Sequence, residues 1–158
     1  MRFIRQDEKG YVLDEYFAYL KAEGGKFPVG ARQFAFQDGH YDIQHHECPH
    51  DSWLEELVIK EPSSGKRRHK RKIQIVAKFL GSFHDGYFDL TYIDVTSYSL
   101  NFEASPGIKL NRGHGDWMID EITIIGTNTV CHEIEFRDAG TWRNFCSDLN
   151  YRRYPGDV

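Results

Sequence analysis

The sequence predicts a mainly β, α+β fold. It should be an antiparallel sandwich or partly closed barrel of about seven or eight strands with one N-terminal helix. Aromatic residues make up 15% of the chain, which suits strands better than helices. Apolar residues alternate with polar ones in short segments after Phe34. No helical pattern lies between those segments, and parallel strands would need crossover helices, so the sheet should be antiparallel. At 158 residues the chain reads as a single domain spanning 1–158, with enough apolar content for a core of its own.

The helix is expected first. Leu13, Tyr16, Phe17 and Leu20 recur at i, i+3, i+4 and i+7, which gives one apolar stripe. Asp14 and Glu15 suit the positive end of the helix dipole and Lys21 the negative end. Gly24-Gly25 supplies the stop, and Phe27-Pro28-Val29-Gly30 reads as a connector.

Strands should follow. Phe34-Ala35-Phe36 and Tyr41-Asp42-Ile43 flank Asp38-Gly39 as a short hairpin. Trp53, Leu57 and Ile59 share one face of the next segment, with Glu55 interrupting. Ile73, Ile75, Ala77 and Phe79 alternate, then Phe88, Leu90 and Tyr92 after the turn signal Asp85-Gly86. A phase change near Asp94-Val95 precedes Tyr98, Leu100 and Phe102. Ser105-Pro106-Gly107 and Gly113-His114-Gly115-Asp116 mark a long loop. Met118, Ile122 and Ile124 follow, then Val130, His132, Ile134 and Phe136, and Asp138-Ala139-Gly140 turns into a last segment, Trp142 to Tyr154. The expected core is Trp53, Leu57, Ile59, Ile73, Ile75, Phe79, Leu90, Ile122, Ile134 and Phe136.

Charge and cysteine content narrow the function classes. The net charge is -4. Six of the 20 basic residues lie in the run Lys66–Lys72. Without them 14 basic residues face 24 acidic ones, a net of -10. The body is therefore acidic, and the run lacks the interleaved aromatics of nucleic-acid sites, so nucleic acid is not the expected partner. An acidic partner could take the run. Cys48, Cys131 and Cys146 cannot all pair internally, the N-terminus lacks the apolar core of a signal peptide, and no apolar run approaches the ~18 residues of a membrane span. Free thiols in a reducing cytoplasm are the expectation.

The densest polar stretch runs from His40 to Asp51 and holds four of the eight histidines. On an extended segment His46, Cys48 and His50 would project to one side, and imidazole, thiolate and carboxylate all ligate transition metals. His46, His50 and Asp51 are therefore the candidate ligands for a divalent metal, although the spacing fits no standard zinc motif and no cofactor is required by it. His114, Asp116 and Trp117, with His50 and Asp51, form the candidate binding residues, because polar loops carried on sheets often hold sites. Trp117 would act as an aromatic anchor if exposed. His132 shares a face with Val130, Ile134 and Phe136 and reads as a hydrogen-bonded core residue. Cys131 lies beside Glu133 and Glu135, which oppose thiolate formation. No nucleophile elbow or phosphate-binding glycine loop is present in the sequence.

Four stretches carry a family resemblance. They are His45-His46-Glu47-Cys48-Pro49-His50-Asp51-Ser52-Trp53-Leu54 through Val58-Ile59, Gly81-Ser82-Phe83-His84-Asp85-Gly86-Tyr87, Val95-Thr96-Ser97-Tyr98, and His132-Glu133-Ile134-Glu135-Phe136. Together they resemble a loose group of small, uncharacterised, β-rich bacterial domains, over roughly residues 43 to 154. In that group a His-Asp-Ser triplet leads into the first long strand and hairpins follow. Some members are regarded as immunity proteins of polymorphic toxin systems. The resemblance implies a non-catalytic, protein-binding domain whose partner is a toxin. The alternative is a metal-dependent enzyme that uses the His40–Asp51 cluster.

Overall fold

A computed structural model describes residues 1–63, 70–103, 113–137 and 140–156. Most of the basic run, the Ser105-Pro106-Gly107 loop and the Asp138-Ala139 turn lie outside the described residues. Ten strands and two α-helices are present among the described residues: β1 Arg5–Asp7, β2 Gly10–Val12, α1 Asp14–Glu23, α2 Val29–Ala35, β3 Trp53–Lys60, β4 Ile73–Leu80, β5 Gly86–Val95, β6 Ser97–Asn101, β7 Trp117–Ile124, β8 Val130–Phe136, β9 Thr141–Cys146 and β10 Asp148–Pro155. A 3-10 turn, Gly24–Lys26, ends α1. No described helix is long and apolar enough to cross a membrane.

β1 and β2 form a small ribbon. The other strands form two four-stranded antiparallel sheets, ordered β10-β5-β4-β3 and β6-β9-β8-β7. The architecture is an antiparallel sandwich and not a closed barrel. The strand count exceeds the expected seven or eight partly because two long strands bend from one sheet into the other. Asp94 sits at φ 51, and single residues, Thr96 and Ser147, separate β5 from β6 and β9 from β10. The bent pair stays in register through the corner, since Thr96 N–H donates to the Phe145 carbonyl and Ser147 N–H to that of Ile93. The phase change expected near Asp94-Val95 is this corner.

The core lies between the sheets. Ile75, Phe79, Leu90, Ile122, Ile134 and Phe136 are buried as expected, joined by Trp117, Trp142, Tyr92, Phe88 and Leu149. The expectation for β3 is only half met. A bulge between Leu54 and Glu56 shifts the side-chain alternation. Leu54 therefore faces inward beside Phe79, and Trp53 pairs with Leu80 on the outer face. Ile59, near the strand's end, is 45% exposed.

The second departure is α2, which occupies the residues expected to begin a hairpin. Pro28, at its N-cap, presets the backbone for a helix start. The Asp148 carboxylate accepts the N–H groups of Gly30 and Ala31, satisfying two orphan donors. A Cβ on Gly30 would stand 1.9 Å from the Leu149 carbonyl oxygen, so only glycine lets α2 lie directly on β10.

α1 performs the matching task at the far edge of the second sheet. The Tyr16 hydroxyl donates to the Ile122 carbonyl at 3.2 Å and accepts from the Ile122 N–H at 2.8 Å. Ile124 N–H donates to the Tyr19 hydroxyl at 2.7 Å, and the Tyr41 hydroxyl donates to the Asp120 carbonyl at 3.3 Å. Asp51 and Ser52 exchange backbone bonds with Trp117. The outer edge of β7 is thus satisfied by three tyrosines and a short stretch of loop. On the outer face of β7 the buried Glu121 carboxylate accepts the N–H groups of Arg2, Phe3 and Ile4 at 2.7–2.8 Å, which pins the N-terminal segment to the sheet.

Candidate functional site

The 36–52 loop connects α2 to β3 as a succession of turns and not as a strand. N–H groups of His40, Asp42, His45 and Cys48 each donate to the carbonyl three residues earlier. Gln37 Nε2 donates to the Glu47 carbonyl at 2.7 Å and ties the ends together. This coil breaks the extended geometry that would have placed His46, Cys48 and His50 on one side.

It sends His40 inward instead. His40 Nε2 lies 2.9 and 3.1 Å from the two oxygens of Asp120, on the inner face of β7. His132, from β8, places Nε2 3.2 Å from Asp120 Oδ2 and Nδ1 2.8 Å from the Tyr92 hydroxyl of β5. Trp117 Nε1 donates to Asp120 Oδ1 at 3.3 Å. All five residues are buried. Burial alone would push the Asp120 carboxyl up. The charge of His40 beside it and the hydrogen bonds from His132 and His40 outweigh that and hold it well below the usual carboxylate range. The carboxylate can only accept, so each histidine carries a proton on Nε2. Burial pushes the Tyr92 phenol well above its ordinary value, so it keeps its proton.

An aspartate-oriented imidazole is the geometry of a general base. The nearest candidate nucleophile does not complete it. The Cys48 thiol donates to the His40 backbone carbonyl at 3.1 Å, and burial pushes its pKa up to about 11. Cys131 and Cys146 are buried, free and pushed up to about 12. Burial is the leading cause in both, followed by Glu133 and Asp148 respectively. A protonated thiol is a poor nucleophile.

The residues singled out from the sequence fall in two other places. His46 Nδ1 lies 2.5 Å from Asp85 Oδ2, and its ring stacks on Phe83 at 4.0 Å. Arg153 Nη2 donates to Asp85 at 2.6 Å, and Nη1 donates to the His46 carbonyl. Burial by itself would push the Asp85 carboxyl up, but the hydrogen bond from His46 and the charge of Arg153 together outweigh it and hold the carboxyl below its ordinary value. This cluster fastens the loop to the β4–β5 turn.

His50, Asp51 and Asp116 meet elsewhere, around Arg137. Arg137 bonds Asp116 at 2.8 Å and Asp51 at 3.0 Å, and His50 Nδ1 lies 3.2 Å from Asp51. Gly115 holds φ +85, and a Cβ there would come within 2.5 Å of the Arg137 carbonyl oxygen, so this loop needs its glycine. His114 packs beside Phe102 at 5.0 Å. Trp117 is fully buried, so the role of an exposed anchor is closed to it. Of the expected metal ligands, His46 and His50 pair with different carboxylates. Among the described residues no group of three or more His, Cys, Asp or Glu side chains is arranged to hold a metal ion.

Two concave features lie around His40. A pocket of about 150 Å³ has His40, Tyr41, Cys48, Trp117, Met118 and Asp120 among its walls. An open groove of about 550 Å³ runs between α1 and the loop, past Phe17, Phe36, Asp38, His40, Tyr41 and Asp42.

His132 was readable as a bonded core residue. Asp120 and Glu121 were missed, although two consecutive carboxylates inside an apolar strand are themselves a signal, since buried acids must be paired. Comparison with known families, curated proteins and solved structures gives no match to any family model, any curated protein or any solved structure.

Proposed function

We propose that the domain works by binding another protein, in the manner of an immunity protein that neutralises a toxin, and that it is not a catalyst. The observation that carries this reading is the groove beside α1. Phe17 and Phe36 flank it and are 45% and 46% exposed, although both are large and apolar. Exposed aromatics beside a groove are what binding anchors require. Asp38 and Asp42 also line it, with Lys21 and the buried His40, which is committed to Asp120. With a body that is net -10 outside the basic run, this surface suits a partner that presents an apolar side chain among basic ones. The buried His40–Asp120–His132 network supports the same reading, because its hydrogen bonds are spent on holding the loop, β7 and β8 together. The three buried, unpaired thiols suit a reducing cytoplasmic setting.

The test is affinity capture from the native host with the wild-type chain and with Phe17→Ser and Asp42→Lys. Both sites are exposed, so melting temperatures should stay close to wild type. A stoichiometric partner that binds wild type and loses at least ~10-fold affinity to either variant supports the reading. A partner that binds all three alike moves the interface elsewhere. Metal-dependent turnover that disappears with His46→Ala plus His50→Ala would replace this reading with the enzyme one.

A further inference from the structure

Two open four-stranded sheets have four edges between them, and the chain itself covers two. α2 lies on β10, and three tyrosines seal β7. A third edge, β6, carries no charged side chain. β3 is different. Its five regular residues, Glu56 to Lys60, pair with β4, and among the described residues no other backbone hydrogen bond reaches them. Alternate N–H and C=O groups along this stretch therefore point away from the sheet, which makes a template for a further strand. The side chains are incompletely covered as well. Leu57 and Ile59 stand opposite Ala77 and Ile75 on the inner face, yet Leu57 is only partly buried and Ile59 is 45% exposed. Glu56, Val58 and Lys60 occupy the outer face. Their acidic neighbours are neutralised within the chain, Glu55 by Lys78 at 3.6 Å and Glu61 by Arg71 at 3.5 Å. Glu56 and Lys60 are exposed and have no ion-pair partner among the described residues.

We propose that the β3 edge binds a second copy of this chain, strand to antiparallel strand, across a two-fold axis at Val58, so that two sheets join into one. The order of residue types sets both the partner and the register. Glu56-Leu57-Val58-Ile59-Lys60 is complementary to itself when turned end for end. Glu56 then falls opposite Lys60 of the partner subunit, and Leu57 falls opposite Ile59 of the partner subunit. Each pair occurs twice, because a two-fold contact uses the same patch on both copies. Residues directly opposite share a face of the sheet, so the charge pairs form outside and the leucine–isoleucine pairs form inside, over the half-covered Ile59. A register centred one residue to either side would set Glu56 or Lys60 opposite Val58, and a parallel alignment would set like charges side by side. This edge contributes no residue to the groove beside α1, so the two interfaces stand or fall separately.

The test is analytical ultracentrifugation of the wild-type chain from ~1 μM to ~1 mM, the range in which a contact this small should dissociate. The mass should rise from monomer toward dimer across that range, and amide hydrogen exchange at residues 56–60 should slow as concentration rises. Lys60→Glu sets acid against acid at both charge pairs, and Glu56→Lys sets base against base. Each variant alone should associate at least ~5-fold more weakly than wild type. An equimolar mixture of the two should regain wild-type association, because each acidic edge then meets a basic one. A wild-type chain that stays monomeric throughout, or exchange at residues 56–60 that ignores concentration, would overturn the proposal. So would association that neither substitution weakens, or a mixture that associates no better than the variants alone. The first two outcomes are read on the wild-type protein and do not depend on any variant folding.

Discussion

Two histidine–aspartate pairs in this protein have similar chemistry and opposite surroundings. His40 and Asp120 meet at 2.9 Å with side chains 1% exposed. His46 and Asp85 meet at 2.5 Å with side chains 59% and 41% exposed. The surface contact is shorter, yet it should matter far less. Water competes for every donor and acceptor at His46, and the pair orders flexible groups for little net gain. Around Asp120 no water competes, and loss of one partner strands the others in a low dielectric. Burial and the number of dependent partners, more than bond length, rank the two pairs.

That ranking can be broken by direct measurement. The largest effect should follow Asp120→Ala, which leaves two imidazoles and the Trp117 N–H without their acceptor. We expect a loss of about 3–5 kcal/mol in chemical denaturation. A loss under 1 kcal/mol would mean that water replaces the carboxylate and that the network is not closed. Tyr16→Phe comes next. It removes the hydroxyl that serves both the N–H and the carbonyl of Ile122, so about 1–3 kcal/mol should be lost, read from the same denaturant midpoints.

Acid titration sharpens the contrast further. The folded pKa of Asp120 lies below its unfolded value, so below ~4 the unfolded chain takes up a proton that the folded protein refuses. The stabilisation from Asp120 is complete above that range and fades as pH falls toward the folded pKa. The stability gap between wild type and Asp120→Asn should therefore be widest near neutrality and should narrow below pH ~4. A gap that stays constant from pH 7 to pH 3 would contradict the low folded pKa. The smallest effect is expected for His46→Ala, under about 1 kcal/mol and weaker still at high salt. A larger loss would give the His46–Asp85–Arg153 clamp a structural weight comparable to the interior network.

The part of this contrast that was readable in advance follows from range along the chain. His132 could be placed because its neighbours at i±2 are apolar, a local pattern. Its partners could not, since His40 and Asp120 are 80 residues apart and only the packing of the loop against β7 brings them together. α1 was legible through its stripe, but Phe17 turned outward to the groove while Tyr16 and Leu20 turned in. α2 was misread because its last two residues and the C-cap, Phe34-Ala35-Phe36, alternate like a strand. Pro28 was the cue to a helix start, and Asp148, far along the chain, supplied the cap. The outward turn of Trp53 depends on a one-residue bulge, which alternation within β3 alone does not announce.

The edge of β7 closes on a different consequence. Its donors and acceptors at Ile122 and Ile124 are met by hydroxyls carried on α1, not by another strand. Such a seal can lift without breaking any ladder bond of the sheet. A chain whose first helix has swung away would still be a well-formed sandwich, but it would offer an open template to a second molecule. The hazard of strand-by-strand aggregation is thus lodged in the attachment of one ten-residue helix. The Glu121 carboxylate, by gripping the N–H groups of Arg2, Phe3 and Ile4 just ahead of that helix, fastens the chain on which the seal depends.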